Sequence, residues 1–207
     1  MADETRAPKY ALWAGARASW LAFGYRFYDT PTGAAETTGQ WVGDGVATQL
    51  DLGARLARRY VPYVFWEHGF MRDGHHFAGT DATTSTNFYG GGIRYLVGDV
   101  DGLSPLVDLS LGKRFIRVSN AGQTFTLSGV EFFRLGLGAE LRMASHMTGS
   151  ALVSFATGTP SETDGDITFV HGDTKSPPYA NGQRITLQRA YVAITIGAAL
   201  HFDLLGN

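Results

Sequence analysis

The sequence predicts an all-β chain: a transmembrane antiparallel up-and-down β-barrel of eight strands. Three observations carry this expectation. Residues 46–57 place Leu50, Leu52, Ala54 and Leu56 on one face and Gln49, Asp51, Gly53 and Arg55 on the other, a period of two that belongs to extended chain. The same alternation returns at Phe133, Leu135, Leu137, Ala139, Leu141 and Met143 against Arg134, Gly136, Gly138, Glu140 and Arg142, and again at Val192, Ile194, Ile196, Ala198, Leu200 and Phe202. Finally, the segments are long and their connections alternate between tight and extended, as in barrels that cross a bilayer.

The first strand, 10–28, carries Leu12, Ala14, Ala16, Ala18 and Trp20 on one face, and then its apolar set moves to Leu21, Phe23, Tyr25 and Phe27. That shift predicts a bulge or a strand emerging above the bilayer. Strands at 41–57, 60–72, 85–98, 104–119, 124–144, 148–159 and 184–203 complete the set of eight. Tight links fall at Arg58-Arg59, at 98–102 and at 145–147, while longer polar loops occupy 29–40, 73–84 and 160–183. The fifth strand is followed by the shorter Asn120-Ala121-Gly122-Gln123. An even strand count brings both termini to the short-turn rim, which then faces the periplasm.

Composition narrows the class further. The 207 residues show no linker, so one domain spans 1–207, and 44% hydrophobic with 17% charged residues excludes a disordered chain. A formal charge of −2 provides no general attraction to nucleic acid, and the absence of cysteine excludes disulfides and thiolate metal sites. The opening residues Met1-Ala2-Asp3-Glu4-Thr5-Arg6 are acidic where a secretory leader is basic, so the sequence reads as a mature chain with an added methionine. The longest uncharged stretch, 143–161, contains His146 and Pro160 and does not suit a helical span.

Fourteen arginines against three lysines (Lys9, Lys113 and Lys175) identify the charged face as the inside. A solvated sheet uses lysine freely, whereas the planar guanidinium suits enclosed, bidentate ion pairs. Ten charges fall on the less apolar faces of their strands: Arg17, Asp51, Arg55, Glu67, Arg94, Asp108, Arg114, Arg134, Glu140 and Arg142. An eight-stranded lumen is only as wide as its side chains, so these ten are expected to interlock as a structural polar network. Tyr28, Trp41, Tyr60, Trp66, Phe70, Phe115 and Phe202 are expected in the two interfacial aromatic girdles.

The eight strands, the loop asymmetry and the terminal segment 190–202, AYVAITIGAALHF, resemble the small bacterial outer-membrane β-barrels, the group of OmpA-type transmembrane domains, OmpX and OmpW. The resemblance implies an integral outer-membrane location. The architecture alone does not identify an activity; the charged, plugged interior favours a non-enzymatic anchor or interaction scaffold, with outer-membrane lipid and lipopolysaccharide as surroundings and loops 29–40, 73–84 and 160–183 as a surface for a protein partner. Alternatives are a narrow channel for small or hydrophobic solutes and an outer-leaflet lipid-modifying enzyme. Arg117-Val118-Ser119-Asn120 is similar to the His-x-Ser-Asn stretch of lipid A deacylases, but arginine stands where the general base should be and cannot activate a serine. His68, His75 and His76 with Glu67 and Asp73 suggest metal, yet adjacent residues in extended chain point apart, and a solvated loop is expected. Gly90-Gly91-Gly92 has no lysine-bearing helix behind it and reads as relief of crowding in a narrow barrel. No cofactor is expected.

Overall fold

A computed structural model describes residues 6–172 and 174–206. The strands are β1 (Tyr10–Asp29), β2 (Ala35–Thr37), β3 (Val42–Leu56), β4 (Tyr60–Asp73), β5 (Thr83–Leu96), β6 (Leu103–Asn120), β7 (Gln123–Ala144), β8 (Met147–Asp166) and β9 (Tyr191–Leu204). Every neighbour in the order β1-β3-β4-β5-β6-β7-β8-β9 is antiparallel, and β9 pairs back onto β1 from Leu12↔Leu204 to Tyr25↔Tyr191. The sheet is therefore an eight-stranded up-and-down barrel, and closure removes both free edges. No helix among the described residues is long and apolar enough to cross a membrane.

Alternation sets the two faces. Along β4, Tyr60, Val64, Trp66 and Phe70 are exposed, while Val61, Tyr63, Phe65 and Glu67 are buried. Exposed apolar side chains continue around the whole circumference, through Leu52, Ile93, Leu111, Leu137, Val153 and Ile196. From Tyr60 to Phe70 this belt runs ten residues, about 33 Å along the strand and about 25 Å in height at the usual tilt. That is the height of a bilayer's apolar band. A monomeric soluble surface does not carry a continuous apolar belt of this extent.

The tight turns sit at one rim. Leu56 pairs Tyr60 across a turn in which Ala57 (φ 48°) and Arg58 (φ 68°) are left-handed. At the other rim Ala121 and Gly122 (φ 47° and 80°) close the turn between Asn120 and Gln123, the pair of positive φ values that a two-residue hairpin with matching twist needs.

Several sequence expectations are corrected. The strand expected at 148–159 runs to Asp166, because its polar end 160–166 pairs with the top of β7 above the apolar belt. The strand expected at 184–203 begins at Tyr191; residues before it make only the isolated bridges Glu162↔Arg184 and Tyr28↔Gln188. Loop 29–40 holds β2 and most of a short helix, Thr38–Trp41, which takes Trp41 from the expected strand 41–57, while loop 73–84 holds a 3-10 turn at His75–Phe77. Residues 1–5, and Asp173 within the last loop, lie outside the described residues.

Tyr28 and Trp41 are fully buried at the loop end of the lumen and join no girdle. Leu21 and Phe27 are buried with them, so the displaced apolar set of β1 marks the lumen turning apolar towards the loops. The break in alternation comes at Tyr25, left-handed at φ 79° and 77% exposed. Tyr60, Trp66 and Phe70 do face outward.

Candidate functional site

All ten charges expected inside point into the lumen and are buried. Two electroneutral clusters result. In the lower one, towards the tight turns, Arg55 donates from Nε to both oxygens of Asp203 at 2.8 and 2.9 Å and from Nη2 to Glu140 at 3.1 Å. Arg94 reaches Asp108 at 3.1 Å and Glu140 at 3.4 Å, and Arg17 stands 3.7 Å from the same Asp108. Arg142 donates to Asp203 at 2.9 Å and to the backbone carbonyls of Ser145 and Val100 at 2.8 and 3.2 Å, thereby tying the cluster to the turns. Asp51 accepts from Gln49 at 2.6 Å and faces His201 Nε2 at 2.9 Å, with the His201 ring stacked on Trp13 at 4.0 Å. Four arginines thus meet four carboxylates.

The upper cluster is two against two. Glu131 accepts from Arg114 Nε at 2.6 Å, Arg134 Nε at 3.0 Å and the Tyr191 hydroxyl at 3.2 Å. Glu67 takes Arg134 Nη1 at 2.9 Å and Arg114 Nη1 at 3.1 Å. Both guanidinium carbons lie 4.4 Å from the centre of the Phe88 ring. Pairing of each charge, together with a π-face for the cations, limits the cost of taking six ring and ionic groups out of water.

Glu131 and Asp203 belong to these clusters although the sequence reading left them out, and His201, expected only as a rim or interior polar residue, joins the lower one. For Glu131 the cause is a bulge: Ser110 pairs Arg134 and Gly112 pairs Glu131, so Leu111 opposes both Phe132 and Phe133, and alternation counted down from Arg134 loses phase. The adjacent phenylalanines were the available signal. Asp203 looked like tail, but it follows His201 by two and shares its face.

Above the ions the lumen is filled by rings. Trp41 stacks on Phe125 at 5.0 Å and meets Phe169 edge-on at 5.2 Å, with Phe27, Tyr28, Phe77, Tyr179 and Ile185 buried around them. Glu36 accepts from Trp41 Nε1 and faces His76 Nε2, each at 3.0 Å. His76 lies flat on Phe169 at 3.9 Å, and its Nδ1 donates to the His171 carbonyl at 2.9 Å, an assignment forced by a carbonyl's having no proton to give. Three loops are joined at this imidazole. A recess of about 620 Å³ opens beside it, lined by Thr30, Glu36, Gln40, His75 and Pro177 among others.

The remaining motifs are dispersed. Glu67 lies in the upper cluster, His68 bonds Asn87 on the outer face at 3.0 Å, and among the described residues no three His, Asp or Glu side chains stand together as a metal site. Ser119 shares a hydrogen bond with Thr124 at 3.1 Å. Gly90 and Gly92 are pressed by the Phe65 and Tyr63 rings, each within 2.8 Å of where a Cβ would stand.

No family model matches the chain, and no curated protein matches it. Solved structures do. Neisserial surface protein A is 9% identical, with 93% of this chain and 97% of that one covered at a TM-score of 0.60. The outer-membrane protein AlkL, determined in lipid bilayers, is 11% identical over 98% and 94% of the two chains, with a TM-score of 0.56. OprG of Pseudomonas aeruginosa is 11% identical over 97% and 100%, with a TM-score of 0.54. The chain has the fold of the small outer-membrane β-barrels.

Proposed function

We propose that this protein is a non-conducting barrel of the bacterial outer membrane, with both termini in the periplasm, which anchors and displays its extracellular loops. The observation that carries the reading is the filled lumen: balanced ionic clusters below and a plug of stacked rings above. A void beside Arg114, Tyr191 and Pro160 measures about 10 Å³, room for a single water, so it offers no path to a solute. The apolar belt supports membrane insertion, and the shared fold supports the outer membrane as its place.

The display surface consists of the loops joined at His76, and the recess beside Glu36 and His75 is where a partner's side chain would enter. Catalysis is not part of this reading. Both ring nitrogens of His76 are occupied, and the Ser119 hydroxyl is hydrogen-bonded to Thr124, which cannot serve as a base. The test is planar-bilayer recording on the refolded barrel. At most small, infrequent conductance steps are expected, and large stable currents would show that the internal charges line water instead of pairing. Recovery of the protein from the detergent-free periplasmic fraction would overturn the membrane assignment.

A further inference from the structure

The middle glycine of Gly90-Gly91-Gly92 has no interior reason to be glycine. Gly90 and Gly92 face inward under the Phe65 and Tyr63 rings, whereas Gly91 faces outward and a Cβ there would meet nothing nearer than a carbonyl oxygen at 3.5 Å. Its outward neighbours along β5 are Tyr89 and Ile93, both large. A missing side chain in a strand marks close approach by another group. Here it forms the floor of an outward groove of about 390 Å³ walled by Ile93, Leu109, Leu111, Phe132 and Phe133. The β7 bulge builds the far wall, because it turns two consecutive phenylalanines outward against the single Leu111.

We propose that this groove holds one acyl chain of a phosphorylated outer-leaflet glycolipid; the proposal rests on the outer-membrane reading above. The groove lies within the apolar belt, so its occupant is hydrocarbon. Charge selects the lipid. Two residues above Leu111 on the outer face of β6 stands Lys113, over the Phe115 ring at 5.3 Å, and then Arg117, which is exposed. The outward residues of β4, β5 and β6 include Arg72, Lys113 and Arg117 and no carboxylate. Arg72 is engaged at 3.3 Å by Asp44 of the adjacent β3, and Lys113 at 3.5 Å by Glu162, which reaches it from β8 across β7; Asp164 and Asp166 stand further along β8. Ser85, Asn87 and Tyr89 opposite Arg117, Phe115 and Lys113 are neutral, which leaves the β5 side open to a phosphate.

The test is native mass spectrometry of the delipidated, refolded barrel titrated with bisphosphorylated lipid A, its dephosphorylated form, and phosphatidylethanolamine. Wild type is expected to retain bisphosphorylated lipid A in preference to both others. Gly91→Phe fills the groove and is expected to weaken retention about tenfold, the loss of roughly ten carbon contacts. Lys113→Gln with Arg117→Gln is expected to abolish the preference for phosphate while leaving dephosphorylated lipid A bound. Ala198→Phe, on the opposite outer wall, is expected to change nothing. Heat-shifted gel migration establishes that each variant is a closed barrel. Equal retention by wild type and Gly91→Phe overturns the proposal, as does absence of a phosphate preference in wild type. A dimer that Gly91→Phe disperses would give the groove to a second copy and overturn it as well. A chain that fails to fractionate with outer membranes overturns the earlier reading, whereas a membrane-inserted barrel without lipid selectivity overturns only this one.

Discussion

Replacing Glu131 with glutamine keeps the shape of the upper cluster and removes half of its negative charge. Glu131 is fully buried, with guanidinium nitrogens at 2.6 and 3.0 Å and a tyrosine hydroxyl at 3.2 Å. At an effective dielectric of about 20 each ionic contact is worth about 6 kcal/mol before desolvation, and desolvation returns much of that. What remains is the asymmetry. Two arginines would face Glu67 alone, and an uncompensated buried charge costs about 3–5 kcal/mol. Glu131→Gln should therefore lower barrel stability by about that amount in urea titrations followed by tryptophan fluorescence and heat-shifted migration. Adding Arg114→Met restores neutrality with a side chain of similar length, so the double variant should recover at least half of the loss. Additive losses in the double variant, or a single variant within about 1 kcal/mol of wild type, would show that the cluster is hydrated and that charge balance does not hold the lumen closed.

Three other outcomes follow from the same geometry. Leu52→Arg and Ile194→Arg, at outward positions 52% and 41% exposed, should each impair assembly into vesicles by about 2–4 kcal/mol near the midplane, while Thr195→Ser on the inner face should be mild; equal effects on both faces would invert the assignment. Gly90→Ala should block assembly, since its Cβ would stand 2.2 Å from the Leu111 carbonyl oxygen, whereas Gly91→Ala should be tolerated; yields of heat-shifted barrel after refolding decide this. At the tight-turn rim, burial works to raise the Asp101 carboxyl, but the Ala7 amide and the Arg58 guanidinium outweigh it and hold it below the usual carboxylate range. That contact is complete above about pH 4 and is lost as pH falls through the lowered value, so protection of the Ala7 amide against exchange should drop there and stay constant from pH 5 to 7.

Much of the barrel was legible because alternation is a local property. β1, β3, β4, β5, β6 and β7 begin and end within two residues of expectation, since one phase of alternation holds along most of each strand. Where phase or apolar contrast is lost, single side chains and strand ends were misplaced. The β7 bulge hid Glu131, and the polar stretch at 160–166 resembled a loop because strand above a membrane has no apolar face to display. Inward placement of the ten charges followed from arginine chemistry, yet no sequence pattern could pair them. The partners lie far apart in the chain: Arg55 with Asp203, Arg134 with Glu67.

The girdle assignment failed at Tyr28 and Trp41 for a different reason. Alternation reports that two faces differ and says nothing about which faces lipid; arginine settled the question only where arginine is present. Towards the loops the ionic layers end at Arg114 and Arg134, and the lumen there is closed by Leu21, Phe27, Trp41 and Phe125. At that height the inward face of β1 is apolar too, so the move from Leu12 and Trp20 to Leu21 and Phe27 registered only as a bulge or a strand leaving the bilayer. An ionic seal alone would leave its charges within reach of water entering from the loop side, where attraction weakens and desolvation is incomplete. The aromatic layer keeps that water out. The ring plug and the upper cluster are thus one device: Tyr191, packed among the rings, donates its hydroxyl to Glu131 and joins them. Tyr191→Phe should accordingly weaken the upper cluster without disturbing the lower, a separation that local hydrogen exchange in β7 and β9 can resolve.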